Sequence, residues 1–376
     1  MDIICFNNPT HPTKLDRGYI VNGLNRKMWI ERYARAGEFE FVADTKSGAR
    51  EQLPIGSLIS HVGTQEVMIV ENHEITEDRG KEPELTISGR GFETYFENRV
   101  VGANRSFPSN ATPTEYSLGL AYSWNQAVIM IIEHTKASSL VDDLNDIPFM
   151  SVFQMVQENG VAAARTIPRK DLYSALVELM KIDDIGIKVI RPGPWSPVWS
   201  EPSQKNDIVV GIHKGVDRSN EIIFSYDTGE IERADYLWSN KKLKNAAVIS
   251  GKWVEAFVTA GQTEFARRVM FIDASDLDQQ LNDFPMEATR NSIRAQMEQR
   301  GWDALASQNE VSLTKAEVSK EVVKAGYRTD FDVGDIITVA GDYNTSSLRR
   351  IEEYVEIDDE NGSSGYPTLT TIETGA

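Results

Sequence analysis

The sequence is poor in the residue types that build disulfide frameworks and metal centres. Among its 376 residues are one cysteine, Cys5, and five histidines. A single cysteine excludes an intrachain disulfide and any multi-cysteine zinc site. No two histidines stand at the helical spacing of a metal-binding motif. Cys5 is therefore expected to be a small, partly buried apolar side chain, and the sequence predicts no metal site and no cofactor.

Long hydrophobic runs are also absent. The longest purely apolar run extends from Ala127 to Ile132, which is far too short to cross a bilayer. The first six residues, from Met1 to Phe6, contain no basic residue and do not resemble a secretion signal. The sequence thus predicts no membrane segment and a protein made in the cytoplasm.

Positive charge is in deficit. The chain has 39 lysines and arginines against 57 aspartates and glutamates, a formal net charge of −18. A protein that grips duplex DNA must neutralise phosphates, so this balance argues against a duplex-binding protein. An acidic wall that repels passing DNA and lets it slide remains compatible with the composition.

The motifs of common enzyme classes are missing too. There is no nucleophile elbow, no P-loop and no dinucleotide-binding glycine fingerprint. Acidic doublets occur at Asp142-Asp143, Asp183-Asp184, Glu352-Glu353 and Asp358-Asp359. Adjacent residues of a strand face opposite ways, and Asp358 to Glu360 lack a full calcium loop. No catalytic residue is predicted, although a glycosidase that needs only two carboxylates stays an alternative.

A repeated pattern is the most informative feature that is present. Residues 53–59, 67–71 and 84–87 alternate in strand fashion, and so do residues 331–337, 348–353 and 368–370 near the other end. A glycine, Gly56 or Gly334, precedes the first strand of each set. The sequence therefore predicts two similar antiparallel β-barrel-like domains within a mainly β, α+β fold.

The residues between the two copies have a different period. Thr112, Pro113 and Glu115 form a capping pattern that predicts a helix over 113–136. A second helix is expected near Lys170, and a third over 286–309, weakened at Gly301. The segment 192–202 holds four prolines with Trp195 and Trp199, and predicts a loop or a platform for a sugar or peptide.

These patterns divide the chain into four parts. Residues 1–105 are predicted to form the first β-barrel domain, 106–165 a helical inserted domain, 166–244 an α+β inserted domain, and 245–376 the second β-barrel domain, which contains the helix 286–309. No low-complexity tract or long linker separates them, so the domains are expected to be interleaved.

Four short segments resemble one known family along most of the chain. Trp29-Ile-Glu-Arg-Tyr33 is similar to its first hairpin, and Ile87-Ser-Gly-Arg-Gly-Phe92 to the end of its first barrel. Gly215-Val-Asp-Arg-Ser219 and Tyr327-Arg-Thr-Asp-Phe331 are similar to its later segments. The chain thus resembles the tail hub, or baseplate hub, proteins of long-tailed bacteriophages, of the short siphovirus tail-tip type related to the trimeric hub of contractile tails.

The resemblance implies a structural protein without an active site, located at the tip of a virion tail. It implies a homotrimer in which two barrels per chain form a pseudo-six-fold ring, and it implies contacts with the distal tail ring or tail tube protein, with fibre or spike proteins and with the tape-measure protein. DNA would pass through the lumen passively. The alternative is a binding module that recognises a host glycan or surface protein through the loop of Trp195 and Trp199.

Overall fold

In a computed structural model, the protein is a mainly β molecule with helices inserted between its two repeated parts. The structure describes residues 1–6, 18–64, 66–77, 79–80, 82–101, 115–135, 147, 150–154, 163–191, 208–225, 227–239, 243–261, 264–278, 287–306, 311–318, 326–341 and 345–371.

The strands of the first repeat come early in the chain. They are β1 (Ile3–Phe6), β2 (Tyr19–Ile20), β3 (Leu24–Arg32), β4 (Glu38–Asp44), β5 (Leu58–His61), β6 (Met68–Thr76) and β7 (Glu84–Gly91). A short helix, α1 (Ala49–Gln52), precedes β5, and a 3-10 segment (Phe92–Asn98) follows β7.

The middle of the chain alternates strands and helices. It contains β8 (Glu115–Ala121), α2 (Ser123–Thr135), β9 (Met150–Gln154), β10 (Ala163–Pro168), α3 (Leu172–Asp183), β11 (Gly186–Ile190), β12 (Ile208–His213), β13 (Ile223–Ser225) and β14 (Ile231–Ser239).

The last part begins with a small α/β unit and ends with the second repeat. Its elements are β15 (Ala246–Ser250), β16 (Glu255–Thr259), a 3-10 turn (Glu264–Ala266), β17 (Val269–Asp273), α4 (Ser275–Asp278), α5 (Glu287–Ala306), β18 (Val311–Val318), β19 (Ile336–Gly341), β20 (Thr345–Asp359) and β21 (Gly362–Thr371).

Both copies of the repeated pattern form the same three-stranded meander. β5 pairs with β6 and β6 with β7, and in the second copy β19 pairs with β20 and β20 with β21, all antiparallel. Each meander opens at its glycine, which has a left-handed backbone: φ is +87° at Gly56 and +100° at Gly334. Only glycine adopts that conformation without strain.

The two meanders also share a pair of backbone hydrogen bonds. Gly56 N donates to the Val70 carbonyl over 2.8 Å, and Val70 N donates to the Ser57 carbonyl over 2.9 Å. In the second copy Gly334 N donates to the Ile351 carbonyl and Ile351 N to the Asp335 carbonyl, over the same distances. The repeat read from the sequence is therefore a structural repeat.

The meanders belong to one large sheet. Its strand order is β13-β19-β20-β3-β4-β7-β6-β5-β1-β2, with β21 on the other side of β20. The long strand β20 joins the two copies because its residues 353–358 pair with β3. The mainly β, α+β fold is thus confirmed, and closure of a barrel is not detected among the described strands.

The first predicted helix is wrong over its first turns. Glu115–Ala121 form strand β8, which pairs with β10, and the helix begins only at Ser123. Tyr116 and Leu118 are buried whereas Leu120 is 76% exposed, so the side chains here follow a period of two and not the helical period. Thr112 and Pro113, half of the capping pattern, lie outside the described residues.

The second helix lies where the sequence predicts it. α3 starts after Asp171, whose carboxylate accepts a hydrogen bond from Ser174 N over 2.7 Å and so caps the helix. Its apolar face packs with α2, the 3-10 segment and the sheet β11-β12-β9 in a single hydrophobic cluster that also takes in Phe6 and Leu58. The inserted region and the first repeat therefore share a core.

The third predicted helix is α5, and it covers one face of the sheet β16-β15-β17. Gly301 has a packing role there, because a side-chain carbon at this position would lie 2.6 Å from Ile249 Cδ1 and 2.7 Å from Val258 Cγ2. Chain segments on either side of this unit pair as β14 with β18. The four-part domain division itself stays a prediction.

Candidate functional site

Glu31 occupies the centre of a buried group of charges, which we call the Glu31 cluster: Glu31, Thr64, Glu66, Glu93, Lys188, Tyr327, Arg328 and Glu356. The Glu31 side chain is only 1% exposed. One carboxylate oxygen accepts from Arg328 Nη2 over 2.8 Å and from the Thr64 hydroxyl. The other accepts from the Tyr327 hydroxyl and lies 3.4 Å from Lys188 Nζ.

These partners come from three separate parts of the chain. Glu31 lies on β3 of the first repeat, Lys188 on β11 of the inserted region, and Arg328 just before the second repeat. Arg328 also reaches the Gly63 carbonyl over 2.7 Å and Glu356 over 3.0 Å. One carboxylate thus ties the two repeats and the insert together.

The electrostatics of the cluster favour an ionised Glu31. Burial alone would raise the pKa of this carboxyl, but Lys188, Arg328 and the two hydroxyls outweigh burial and hold the pKa well below its usual range. Burial likewise opposes a charged Lys188, yet the neighbouring carboxylates, Glu31 first, leave its pKa raised. The ion pairs are therefore present at neutral pH.

Glu66 and Glu93 are different because burial outweighs the attraction of the nearby cations. Both are buried, and in each case the Oε2 atom has no hydrogen-bond partner among the described residues. Glu93 Oε1 accepts only from Val189 N, over 2.9 Å. Burial raises the pKa of Glu93 to about 7, and burial with the Glu31 charge raises the pKa of Glu66 well above its ordinary value.

A second group surrounds Tyr33, which lies two residues after Glu31. We call it the Tyr33 cluster: Tyr33, Asp184, Gly186, Gly215, Gly334 and Arg350. The Tyr33 hydroxyl donates to the Asp184 carbonyl over 3.0 Å and accepts from Gly215 N over 3.3 Å. Arg350 lies 4.7 Å from the ring centroid, donates to the Gly334 carbonyl over 2.9 Å, and pairs with the Asp184 carboxylate.

Three glycines let the backbone close around this ring. A side-chain carbon on Gly186 would lie 2.6 Å from the Tyr33 carbonyl oxygen, and one on Gly334 would overlap the Tyr33 ring. A side-chain carbon on Gly215 would overlap the Gly334 carbonyl. The insert, the 215 segment and the second repeat thus meet at Tyr33 without intervening side chains.

Replacing Gly334 with alanine is expected to cost about 2–3 kcal/mol of unfolding free energy, because left-handed strain of about 1 kcal/mol adds to overpacking against Tyr33. The measurement is urea unfolding followed by circular dichroism. Gly362 is the matched control: its φ is +116°, but an added carbon meets nothing within 4 Å. Gly362→Ala should therefore cost only about 1 kcal/mol. Equal effects at both positions would refute close packing at Tyr33.

His61 on β5 and His73 on β6 are not opposite each other in the sheet. Along β5 and β6, Leu58 faces Ile69 and Ile59 faces Met68, so the register does not place His61 opposite His73. His61 Nδ1 accepts from Gly63 N over 3.0 Å, and burial followed by the Arg328 charge lowers the pKa of this imidazole to about 4. His73 instead contacts the Leu53 carbonyl over 2.7 Å.

Four carboxylates of the acidic doublets pair with cations, among them Asp184, which pairs with Arg350. Glu352 and Glu353 pair with Arg35 and Arg32 over 3.6 and 2.7 Å. Asp358 accepts from the terminal ammonium over 2.6 Å and from Lys27 over 3.0 Å. Among the residues that the structure describes, acidic side chains, histidines and Cys5 form no group suited to a metal ion.

Two predictions for the inserted region are not tested by the structure. Asp142-Asp143 and the loop with Trp195 and Trp199 lie outside the described residues. The sequence did not predict the Glu31 cluster or the Tyr33 cluster, which together we call the joint clusters. Glu31, Tyr33 and Tyr327 were nevertheless in the motifs that carried the family resemblance. The available signal was an acidic residue, Glu31, on the same face of the strand as two aromatic residues, Trp29 and Tyr33.

The fold of the chain is similar to the fold of several phage tail proteins. Three solved structures resemble the chain over nearly its whole length, each at low sequence identity. A prophage tail protein gp18 from Listeria monocytogenes EGD-e has a TM-score of 0.55 and 11% identity, covering 100% of this chain and 96% of its own. A tail protein from Neisseria meningitidis MC58 has 0.52 and 13%, with coverages of 98% and 95%. The prophage MuSo2 43 kDa tail protein from Shewanella oneidensis has 0.52 and 12%, with coverages of 99% and 98%.

The family follows from the sequence itself. A model of the Siphovirus ReqiPepy6 Gp37-like protein family matches residues 12–369, and the chain belongs to this family. The search of curated proteins found no match. The predicted resemblance to siphovirus tail proteins is thereby confirmed, and the protein is a component of the virion tail. Among the described helices, none is long and apolar enough to span a membrane.

Proposed function

We propose that this chain is the homotrimeric hub at the distal end of a siphovirus tail. In this role three chains form a ring of six similar β units, which adapts the six-fold tail tube or distal tail ring to a three-fold tip. The observation that carries the proposal is the duplicated meander, with the same left-handed glycine and the same pair of backbone hydrogen bonds in both copies. Two equivalent units per chain let three-fold symmetry approximate six-fold symmetry.

The joint clusters support the proposal because a ring needs a fixed angle between its units. β20 pairs directly with β3 across the two copies, and Glu31 and Tyr33 on or beside β3 bind the insert and the second repeat. Breaking a buried ion pair leaves an uncompensated charge at a high cost, so these pairs favour the arrangement that keeps both partners together. On this proposal the inserted region projects from a rigid ring and is available to fibre or spike proteins.

The charge of the chain bears on the lumen of the ring. Three chains carry a formal net charge three times −18, about −54, and an acidic wall repels DNA and keeps it from adhering during ejection. The tape-measure protein would occupy the same lumen before ejection. This role requires no catalysis, and the proteins of similar fold are tail proteins.

The test is the mass of the purified protein by light scattering after size exclusion. The chain has a mass of 42.1 kDa, so a trimer is expected at about 126 kDa. Trimer formation can depend on contact with the tail tube. The measurement is therefore repeated with the tail tube protein at equimolar concentration. A monomeric mass under both conditions would refute the trimeric hub.

A further inference from the structure

The sheet β16-β15-β17 has one covered face and one open face. α5 packs through Met297 against the inner residues of the sheet, which include Ile249 and Val258. The opposite face is a grid of three rows set by the strand register: Thr259–Ala246–Val269, Phe257–Val248–Phe271 and Glu255–Ser250–Asp273. We call these nine residues the open grid.

Several large apolar side chains on and beside the open grid are exposed. Phe271 is 69% exposed, Val269 43% and Phe257 42%, and Phe265, in the turn that leads to β17, is fully exposed. The two phenylalanines of the middle row flank Val248 on the adjacent strands. An apolar row of this kind marks an interaction surface.

Charge is distributed unevenly along the strands of the grid. One end carries Glu255 and Asp273, and a hydrogen bond from Ser275 N to Asp273 lowers the pKa of that carboxyl, which keeps it ionised. The other end carries Lys244, whose Nζ donates to the Val269 carbonyl over 3.2 Å, and Arg267, whose guanidinium lies 4.6 Å from the Phe257 ring centroid. The grid is thus mainly acidic at one end, where Lys252 of the turn between β15 and β16 also lies, and apolar in the middle. It is basic at the other end, from which the Arg267 guanidinium reaches Phe257 of the middle row.

This order of charges is complementary to itself. A two-fold axis in the interface and parallel to the middle row brings the acidic end of one grid onto the basic end of another. The same axis places the row Phe257–Val248–Phe271 against its own copy. An interface of identical chains about a two-fold axis requires this kind of self-complementarity. Sheets that pack face to face bury their apolar rows in the same manner.

We propose that the open grid is a docking surface for a second copy of the chain, paired face to face with opposite strand directions. The inference goes beyond the hub role and does not depend on it. If the trimer forms through other surfaces, the grids join two trimers, and if it does not, they join two single chains. The contact is small, so its affinity belongs to the weak class of protein interfaces.

The test is sedimentation equilibrium of the full chain at loading concentrations from about 1 to about 200 μM, the range in which weak contacts form. The expected result is a concentration-dependent doubling of the particle, from about 126 to about 253 kDa for trimers, or from 42.1 to about 84 kDa for single chains. Phe271→Glu should raise the dissociation constant at least tenfold, because it places a charge in the apolar row. Leu120→Glu, at a site that is 76% exposed on β8, is the control and should change nothing.

Charge exchange makes the test specific for the proposed orientation. Arg267→Glu alone and the pair Glu255→Arg with Asp273→Arg should each weaken self-association, whereas mixing these two proteins should restore it as a mixed pair. Unchanged circular dichroism spectra check that the variants are folded. Absence of doubling in the wild type, or doubling that Phe271→Glu leaves intact, overturns the proposal. In the first case the grid is open to another tail protein, and in the second the copies associate elsewhere. Absence of a trimer in this experiment bears on the hub proposal alone, which the mass measurement with the tail tube protein decides.

Discussion

Replacing Glu31 with glutamine is expected to lower the free energy of unfolding by about 3–5 kcal/mol, the usual cost of removing one partner from a buried ion pair. The substitution keeps the shape of the side chain but removes the charge that Lys188 and Arg328 share, so two buried cations lose their common partner. Urea unfolding at neutral pH, followed by circular dichroism, measures the effect.

Glu38→Gln is the matched control for this variant. Glu38 pairs with Arg32 over 2.7 Å on the neighbouring strand, but its side chain is 42% exposed. An ion pair as exposed as this contributes less than about 1 kcal/mol, because water and salt screen it. If the Glu31 and Glu38 variants lost similar amounts of stability, the claim that Glu31 ties the three parts of the chain together would be wrong.

The sequence was informative about the fold wherever the signal was local and repeated. Gly56 and Gly334 mark the two meanders because a left-handed residue must precede each first strand. α3 follows from apolar residues at helical spacing, and α5 lies within the range predicted for the third helix. The helix predicted over 113–136 began too early because the apolar residues of β8 were assigned to a helical face although Leu120 points outward.

The joint clusters could not be predicted in the same way, since their members are distant in sequence. Glu31 and Arg328 are separated by 297 positions, and no local pattern indicates that β20 pairs with β3. The role of Gly301 was hidden for a similar reason: its missing side chain is a cost to an isolated helix, and its benefit appears only against Ile249 of the sheet. Local patterns thus predicted the elements, whereas long-range strand pairing determined the site.

The free energy of unfolding is expected to fall as pH rises above about 6.5. This lower limit is the ordinary pKa of histidine, and below it the buried imidazoles have an opposing effect on stability. The groups responsible are Glu66 and Glu93. Their ordinary pKa is 4.5, and burial raises the pKa of Glu93 to about 7 and that of Glu66 well above the ordinary value. The folded chain therefore holds protons that the unfolded chain has released, so the contribution of each group is complete below pH 4.5 and is lost as pH rises through its folded pKa.

His61 and His213 act in the opposite direction on the acid side. Burial, followed by nearby positive charge, lowers both pKa values to about 4, so the unfolded chain takes up protons first as pH falls below 6.5. Above that pH the imidazoles are neutral in both states, so the contribution of the buried carboxyls is measured apart from theirs. The other charged groups around those carboxyls, Glu31, Lys188 and Arg328, keep their charge throughout this range because their pKa values lie far outside it.

The measurement is the free energy of unfolding from urea titrations between pH 6.5 and 8. Each proton held only by the folded state contributes a slope of about 1.4 kcal/mol per pH unit. The slope from Glu93 is therefore lost as pH rises through about 7, and Glu66 contributes in the same direction. Glu93→Gln, which supplies a permanently neutral side chain, should remove the part of the slope near pH 7, and adding Glu66→Gln should leave stability nearly independent of pH. Glu71→Gln, at a half-buried partner of Arg90 outside the cluster, should leave the slope unchanged. A slope in the double variant as large as that of the wild type would show that Glu66 and Glu93 are ionised in the fold. The cluster would then have to hold three buried negative charges against two cations.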